Sequence, residues 1–390
     1  MKNKFSVIFV ILSFMIMISC FCGFKTVKAN KDDITQISSK SAYVIDSETQ
    51  TVIFNKEENK RLPIASMCKI MTLLLYFEAQ DRGEITIDEQ IKISKNSAGM
   101  GGSQVFLEAN AEYSAGELVK SIVVASANDA CVAIAERLCV DEQSFVDKMN
   151  ERAKELNMQN TIFVNCTGLP KPEQYSCAKD VAIMFSELIK HEDYFRYSRI
   201  WTDKVIHPND RVCEISNTNK LIRFYNGCDC GKTGYTSEAG HCLVASAKRN
   251  GMRLISVVIS APDGKTRFNE VSSMFNYGFA NFTNKTIIDN NKPLELDVNI
   301  FGGKKDKIEV VAERSVYLFS KKNEKRSVEI NFVPASKVKA PIKKGDLVGK
   351  IYVYENNIEI ECVNVLANEN VQAKTYFDVL NDIWHNWSMI

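Results

Sequence analysis

Pro63-Ile64-Ala65-Ser66-Met67-Cys68-Lys69-Ile70-Met71 opens an apolar helix expected over residues 66–77, and two of its residues are out of place in a plain core helix. Lys69 is the only basic charge inside it, and Ser66 stands three positions earlier, at its head. Side chains three apart on a helix lie one turn from each other on the same face. At a helix N-terminus, free backbone N–H groups and the dipole favour a developing oxyanion. A lysine held among Met, Ile and Leu is desolvated, which lowers its pKa toward that of a usable base. The same residues also fit a lysine whose head snorkels out of an apolar helix. Ser-x-x-Lys alone arises by chance in most long chains, so its surroundings decide.

Upstream, residues 42–45 and 50–54 read as two strands around the polar stretch Asp46-Ser47-Glu48-Thr49, a hairpin signal. Downstream come helical runs over 115–124 and 129–138, separated by the polar break Ser126-Ala127-Asn128, then a charged amphipathic helix over 142–156. Residues 241–248 and 252–260 read as strands joined across Arg249-Asn250-Gly251, and Asn-Gly between such runs is a strong hairpin signal. Strands at both ends with helices between them indicate an α+β domain, expected over residues 30–284. Composition shifts where Asn, Lys and Asp dominate, so residues 285–296 are read as a linker. Short β-rich runs at 308–311, 316–319, 328–333, 347–354 and 358–365 then predict a small all-β domain over 297–370. In the final segment, 371–390, Tyr376, Phe377, Leu380, Ile383, Trp384 and Trp387 fall on one helical face. Two tryptophans there suit a membrane interface; docking on the β domain or on a partner is the other reading.

The chain has 390 residues, 45% hydrophobic and 25% charged, enough to bury a sizeable core. A net charge of +1, with no basic block interleaved with aromatics, gives no hint of nucleic acid. Lys2 and Lys4 precede an apolar stretch, and Val27-Lys28-Ala29 offers a small residue for cleavage, so residues 1–29 read as a signal peptide. A retained anchor and a lipoprotein box at Ile18-Ser19-Cys20 are the rivals. All three send the body across the membrane. Of the twelve cysteines, two lie in this leader. The other ten show no scaffold spacing, and many sit in apolar runs, where free Cys behaves as a small hydrophobe. Mostly reduced thiols are expected. Cys228, Cys230 and His241 make no standard zinc pattern, and no metal site is expected.

Two further motifs follow Ser66 in order. Ser126-Ala127-Asn128 arrives sixty residues later and puts two short polar side chains in one turn; Asn128 is also a good N-cap for the helix after it. Lys232-Thr233-Gly234 lies 106 residues further, at the opening of the strand region. A Lys and a Thr there suit a carboxylate, and Gly lets a substrate backbone lie against a strand edge. An exposed strand end is the plainer reading.

Together the three match the set shared by penicillin-binding proteins and class A β-lactamases, with Ala127 in place of Asp. The chain resembles the low-molecular-mass penicillin-binding proteins that act as serine-type D-alanyl-D-alanine carboxypeptidases. The likeness runs from about Ser41 to Phe282. It includes Ala125-Ser126-Ala127-Asn128-Asp129-Ala130, Asn217-Thr218-Asn219, Gly231-Lys232-Thr233-Gly234-Tyr235-Thr236, Ala239-Gly240 and Arg267-Phe268-Asn269-Glu270. The resemblance implies a penicillin-binding/β-lactamase-like catalytic domain, an antiparallel sheet with helices and a helical subdomain, followed by the β domain and terminal helix. It implies that Ser66 attacks the carbonyl between two D-alanines and that neutral Lys69, its pKa depressed further by Lys232, takes the serine proton. Ser126 would relay that proton to the departing nitrogen, and Asn128 would hold the substrate amide. The N–H groups of Ser66 and Tyr235 would form the oxyanion hole beside Gly234. Lys232, Thr233 and Arg267 would bind the terminal carboxylate. The implied partners are the peptidoglycan stem peptide, β-lactam antibiotics and the outer face of the cytoplasmic membrane, with no cofactor.

Cys68 stands where Thr is common, and Cys230 where an apolar or small residue is usual; neither removes a catalytic group. Two rivals carry different chemistry. A β-lactamase would need a deacylating Glu in Glu-x-x-Leu-Asn; Leu156-Asn157 occurs, but position 153 is Ala. A catalytically silent penicillin-binding sensor is the other. No Gly-x-Ser-x-Gly elbow is present, and His191, His207, His241 and His385 have no convincing partners for a Ser-His-Asp hydrolase.

Overall fold

The first hairpin forms with its second strand displaced. β1 (Ser41–Asp46) returns as β2 (Val52–Lys56) in the computed structural model, which describes Ile34 and residues 36–388. The expected leader lies outside the described residues. Gln50, expected to open the second strand, has φ 56° and belongs to the turn. Asp46 closes that turn by accepting from Thr49 N and Oγ1 at 2.9 and 2.8 Å.

The apolar helix is two pieces. Ala65–Cys68 is a single 3-10 turn, and α1 (Lys69–Asp81) begins only after it. Ala65 enters the turn with φ 48°, a left-handed conformation costly for a residue with a Cβ. In a 3-10 turn residues i and i+3 eclipse, so Ser66 and Lys69 line up more closely than on an α-helix. Ile70, Met71, Leu73, Leu74, Leu75, Tyr76 and Phe77 are all buried. A helix apolar all round belongs in the core. At roughly 1.5–3 kcal/mol per buried side chain, as an upper bound, α1 is the strut on which the site is built.

The helical subdomain follows as α2 (Ala115–Ala125), α3 (Asn128–Leu138) and α4 (Glu142–Glu155). Short pairs β3 (Gln90–Lys92) with β4 (Glu112–Ser114), and β5 (Thr202–Ile206) with β6 (Val212–Ser216), flank it. The N-cap of α3 is Ala127, not Asn128. Asn128 is already helical, and its side chain turns away to donate to Gly101 O at 2.6 Å.

β7 (Cys228–Thr236), β8 (Gly240–Arg249) and β9 (Met252–Ala261) complete an antiparallel sheet of order β2-β1-β9-β8-β7. Asn250 and Gly251 both have positive φ, which the tight β8–β9 turn requires. Helices α5 (Ala178–Leu188) and α6 (Gly264–Asn281) pack against the middle strands. β7 is left at an edge.

The expected linker 285–296 is a correction. β10 (Phe282–Ile288) and β11 (Leu294–Asn299) take most of it, leaving 289–293 as a turn. β10 pairs with β13 (Val316–Lys321), a distant partner that local composition does not reveal. The β domain's main sheet has order β11-β12-β16-β15-β14, with β12 (Lys307–Ala312), β14 (Glu329–Pro334), β15 (Leu347–Glu355) and β16 (Ile358–Ala367). The strands expected from the sequence fall inside these within a residue or two. Val298, Val310, Val353 and Val365 form the centre of its core. The described residues end in helix α7 (Tyr376–Ser388). Among the described residues no helix is long and apolar enough to cross a membrane.

Candidate active site

Ser66, Lys69, Ser126 and Lys232 meet beside the β7 edge. Lys69 Nζ lies 3.0 Å from Ser66 Oγ, and Lys232 Nζ lies 2.7 Å from Ser126 Oγ. Both amines are fully buried, so neither is the snorkelling surface lysine. Burial lowers the Lys69 pKa. Lys232 is pushed well below its usual value, by burial first and then by repulsion from Lys69. A neutral amine beside a serine hydroxyl can accept its proton.

Two glycines let the backbones close in on Ser66. A Cβ on Gly234 would lie 2.6 Å from Ile64 O and 3.2 Å from Ser66 N. One on Gly168, whose φ is +81°, would lie 2.1 Å from Ala65 O and 2.9 Å from Ser66 N. The first contact brings β7 against the Ser66 turn and the second brings the 165–168 loop against it. Tyr235, next after Gly234, is 60% exposed with its ring stacked on His241 at 4.3 Å.

Asn128 is buried, and its Oδ1 has no partner among the described residues. A buried amide oxygen without a protein donor can accept one from a ligand. Thr233 Oγ1 donates to Thr218 Oγ1 at 2.8 Å. Arg267, on α6, is no free surface arginine. Its Nη1 donates to Gly234 O at 3.0 Å and Cys242 O at 3.2 Å, bracing the β7–β8 pair.

Sequence reasoning missed three supports. The first is the loop 165–168, whose carbonyls take a row of donors. Cys68 Sγ donates to Asn165 O at 3.1 Å, and Thr72 Oγ1 and Cys131 Sγ donate to Cys166 O at 2.9 and 3.1 Å. Lys69 Nζ donates to Thr167 O at 2.5 Å. Asn165 Oδ1 closes the loop on Gly168 N at 2.7 Å. The Asn-x-x-Gly spacing was a turn signal there. Cys68 thus serves as a donor where Thr is common. The second is Asp129, buried, which accepts from Val105 N and Leu107 N, each at 3.1 Å, while Asn128 N donates to Ser103 O at 2.7 Å. The third is Thr218, whose N–H reaches Val124 O at 3.2 Å, tying β7 to the end of α2. It was quoted in Asn217-Thr218-Asn219 without a role.

The ten cysteines among the described residues are unpaired thiols. Cys228 and His241 pair with Ala247 and Tyr235, toward opposite ends of the β7–β8 ladder, so they cannot share a metal with Cys230.

A serine within hydrogen-bond reach of a buried amine, with an edge strand laid against its backbone, is the arrangement of the active-serine acyl-transfer enzymes. Residues 25–263 match the family model described as D-alanyl-D-alanine carboxypeptidase, and residues 282–373 that of penicillin-binding protein 5, C-terminal domain. The chain belongs to the D-alanyl-D-alanine carboxypeptidase family. It is 38% identical over 351 residues to the D-alanyl-D-alanine carboxypeptidase DacF of Bacillus subtilis, spanning 90% of each chain. It is 29% identical over 392 residues to DacC of Escherichia coli, spanning 96% of this chain and 94% of that one. Penicillin binding protein 5 from Haemophilus influenzae superposes with a TM-score of 0.68 at 28% identity, over 86% of this chain and 98% of the other.

Proposed function

We propose that the enzyme removes the terminal D-alanine from peptidoglycan stem peptides through an acyl-enzyme on Ser66. The observation that carries this is the Lys69 Nζ–Ser66 Oγ approach of 3.0 Å, with Lys69 fully buried and Ser66 partly exposed. Burial lowers the Lys69 pKa, and in this reading the free enzyme holds Lys69 neutral. Ser66 Oγ attacks the penultimate carbonyl as its proton passes to Lys69. The oxyanion is received by the N–H groups of Ser66 and Tyr235, each such donor contributing roughly 2.7–4 kcal/mol in comparable sites. Lys69 then returns the proton through Ser126 to the leaving D-alanine nitrogen and is neutral again. Asn128 holds the substrate amide. Lys232 and Thr233 take the terminal carboxylate, with Arg267 adding positive charge behind the strand. In deacylation Lys69 draws a proton from water as its oxygen attacks the ester, and Ser66 recovers that proton on leaving. Penicillins acylate the same serine.

The reading extends to location. A leader at residues 1–29 exports the chain, and α7 lays it on the outer face of the cytoplasmic membrane. Asp378 and Asp382 on α7 face Lys304 and Lys374 at 3.6 and 2.7 Å. That leaves Tyr376, Phe377, Trp384 and Trp387 outward, between 68% and 79% exposed. Such a face suits the headgroup boundary.

The test is incubation with a pentapeptide ending in D-Ala-D-Ala, alongside labelling with a fluorescent penicillin. Release of D-alanine, and labelling abolished by Ser66→Ala, is the expected outcome. Labelling that survives Ser66→Ala would refute the nucleophile; penicillin hydrolysis without D-alanine release would refute the carboxypeptidase.

A further inference from the structure

One end of the β domain is far more basic than the chain's net charge of +1 suggests. Three segments remote in sequence are laced together there. Phe301 N donates to Val338 O at 2.9 Å, and Ala340 N to Phe301 O at 3.0 Å. Ile342 and Val371 exchange N–H···O bonds of 2.8 and 2.9 Å, and Lys374 N donates to Gly302 O at 2.8 Å. α7 opens at Tyr376, directly beyond this junction. Segments 301–307, 336–346 and 369–374 together hold eight lysines against three acids.

The lysines are of two kinds. Lys304, Lys305, Lys307 and Lys374 are taken up by ion pairs, and two of these hold Asp378 and Asp382 of α7. Lys337, Lys339, Lys343 and Lys344 are exposed and make no ion pair among the described residues. Val338, Ala340 and Ile342 are buried between them, so Lys337, Lys339 and Lys343 take the outward positions of an extended run. Lys344 follows at once, its N–H donating to Asn370 Oδ1 at 2.7 Å. Phe301 is bridged to Lys339 and is 64% exposed. An aromatic ring thus stands beside a row of free ammonium groups, at the root of α7.

We propose that this lysine face docks on the anionic headgroups of a phospholipid surface, beside α7. This rests on the membrane reading of α7 given above. Four unpaired like charges repel one another in the free protein, and a surface of opposite sign relieves them. A soluble polyanion would meet the charge but would leave Phe301 and the aromatics of α7 in water; a headgroup layer receives both. An apolar face and a basic patch are two weak anchors that hold together where either alone is marginal. Each lysine near an anionic surface tightens binding about fivefold, an effect confined to about a Debye length.

The full chain is titrated with vesicles of phosphatidylcholine, alone or mixed with phosphatidylglycerol, and bound protein is measured by co-sedimentation. The unsubstituted enzyme is expected to bind the mixed vesicles at least about tenfold more tightly, a preference that shrinks as salt is added. Lys337→Gln, Lys339→Gln, Lys343→Gln and Lys344→Gln combined bring the preference to about twofold or less. Binding of that variant to phosphatidylcholine alone, and its D-alanine release from a soluble peptide, stay as they were. The same four positions changed to Arg keep the preference, and Phe301→Ser weakens binding to both vesicles alike. A preference that survives the Gln variant overturns the lysine surface. So does the lack of any preference in an unsubstituted enzyme that still binds phosphatidylcholine, a result that leaves α7 as the membrane contact. Tighter binding to soluble polyglycerol phosphate than to the mixed vesicles assigns the lysines to a polymer and overturns the proposal too. No binding to either vesicle overturns the membrane reading of α7, and this surface with it.

Discussion

Gly168→Ala is the sharpest perturbation available, because it adds one carbon at a place where the outcome is set by backbone alone. The new Cβ would stand 2.1 Å from Ala65 O, 2.5 Å from Ala65 C and 2.9 Å from Ser66 N. Non-bonded carbon contacts are ordinarily about 3.5–4.0 Å, so the two backbones must part by more than about 1 Å. No flexible side chain is available to give way. The φ of +81° adds the left-handed penalty of about 1–2 kcal/mol. The move displaces Ser66 N, one of the two proposed oxyanion donors, and loosens the loop that accepts from Lys69. Misplacement of about 1 Å costs on the order of 100-fold, and loss of an oxyanion donor 100- to 1,000-fold. The second-order rate of acylation by a fluorescent penicillin should therefore fall at least about 100-fold. Thermal unfolding of the same sample, expected to remain cooperative at a lower Tm, separates this from loss of fold. Acylation within about threefold of the unsubstituted enzyme would refute the claim that this contact sets the nucleophile turn.

Further outcomes follow from other contacts. Because burial lowers the Lys69 pKa and its neutral form is the base, acylation should fall about tenfold per pH unit below that pKa. The unfolded chain binds more protons between the lowered and the ordinary lysine values, so stability should rise with pH across that window. A pH series of Tm, with a shallower slope in Lys69→Met, checks the sign. Thr218→Val removes the acceptor of Thr233 Oγ1; a net hydrogen bond of about 0.5–1.5 kcal/mol corresponds to a roughly 2- to 13-fold loss in kcat/KM, carried by KM and restored by Thr218→Ser. Trp384→Glu with Trp387→Glu should abolish co-sedimentation with anionic lipid vesicles while hydrolysis of a soluble peptide persists; undiminished sedimentation would remove α7 as the membrane contact.

Much of the fold is legible along the chain because it rests on local periodicity. The helices over 115–124, 129–138 and 142–156 stand within a residue or two of expectation, as do the β8–β9 hairpin and the β-domain strands. The errors fall where a distant partner intervenes. Residues 285–296 look like a spacer until β13 pairs with β10. Asn128 looks like an N-cap until Gly101 O claims its side chain. Ser66 looks like the first residue of an α-helix, but Ala65 at φ 48° turns the chain into a 3-10 entry.

The sequence by itself singled out Ser66, Lys69, Ser126 and Lys232 as one candidate site, since three short motifs in order are far less probable than any one of them. It set Lys69 among apolar neighbours but left open a desolvated base or a snorkelling head; the packed helix, with Lys69 buried, decides for the first. It did not contain the distances. That Lys69 reaches Ser66 at 3.0 Å and Lys232 reaches Ser126 at 2.7 Å depends on α1, the turn between α2 and α3, and β7 arriving together. Nor did it give a role to Asn165, Gly168, Asp129 or Thr218, whose work is to hold backbones at contact distance. Those restraints act between segments remote in the chain, and only the packed structure brings them within hydrogen-bonding range.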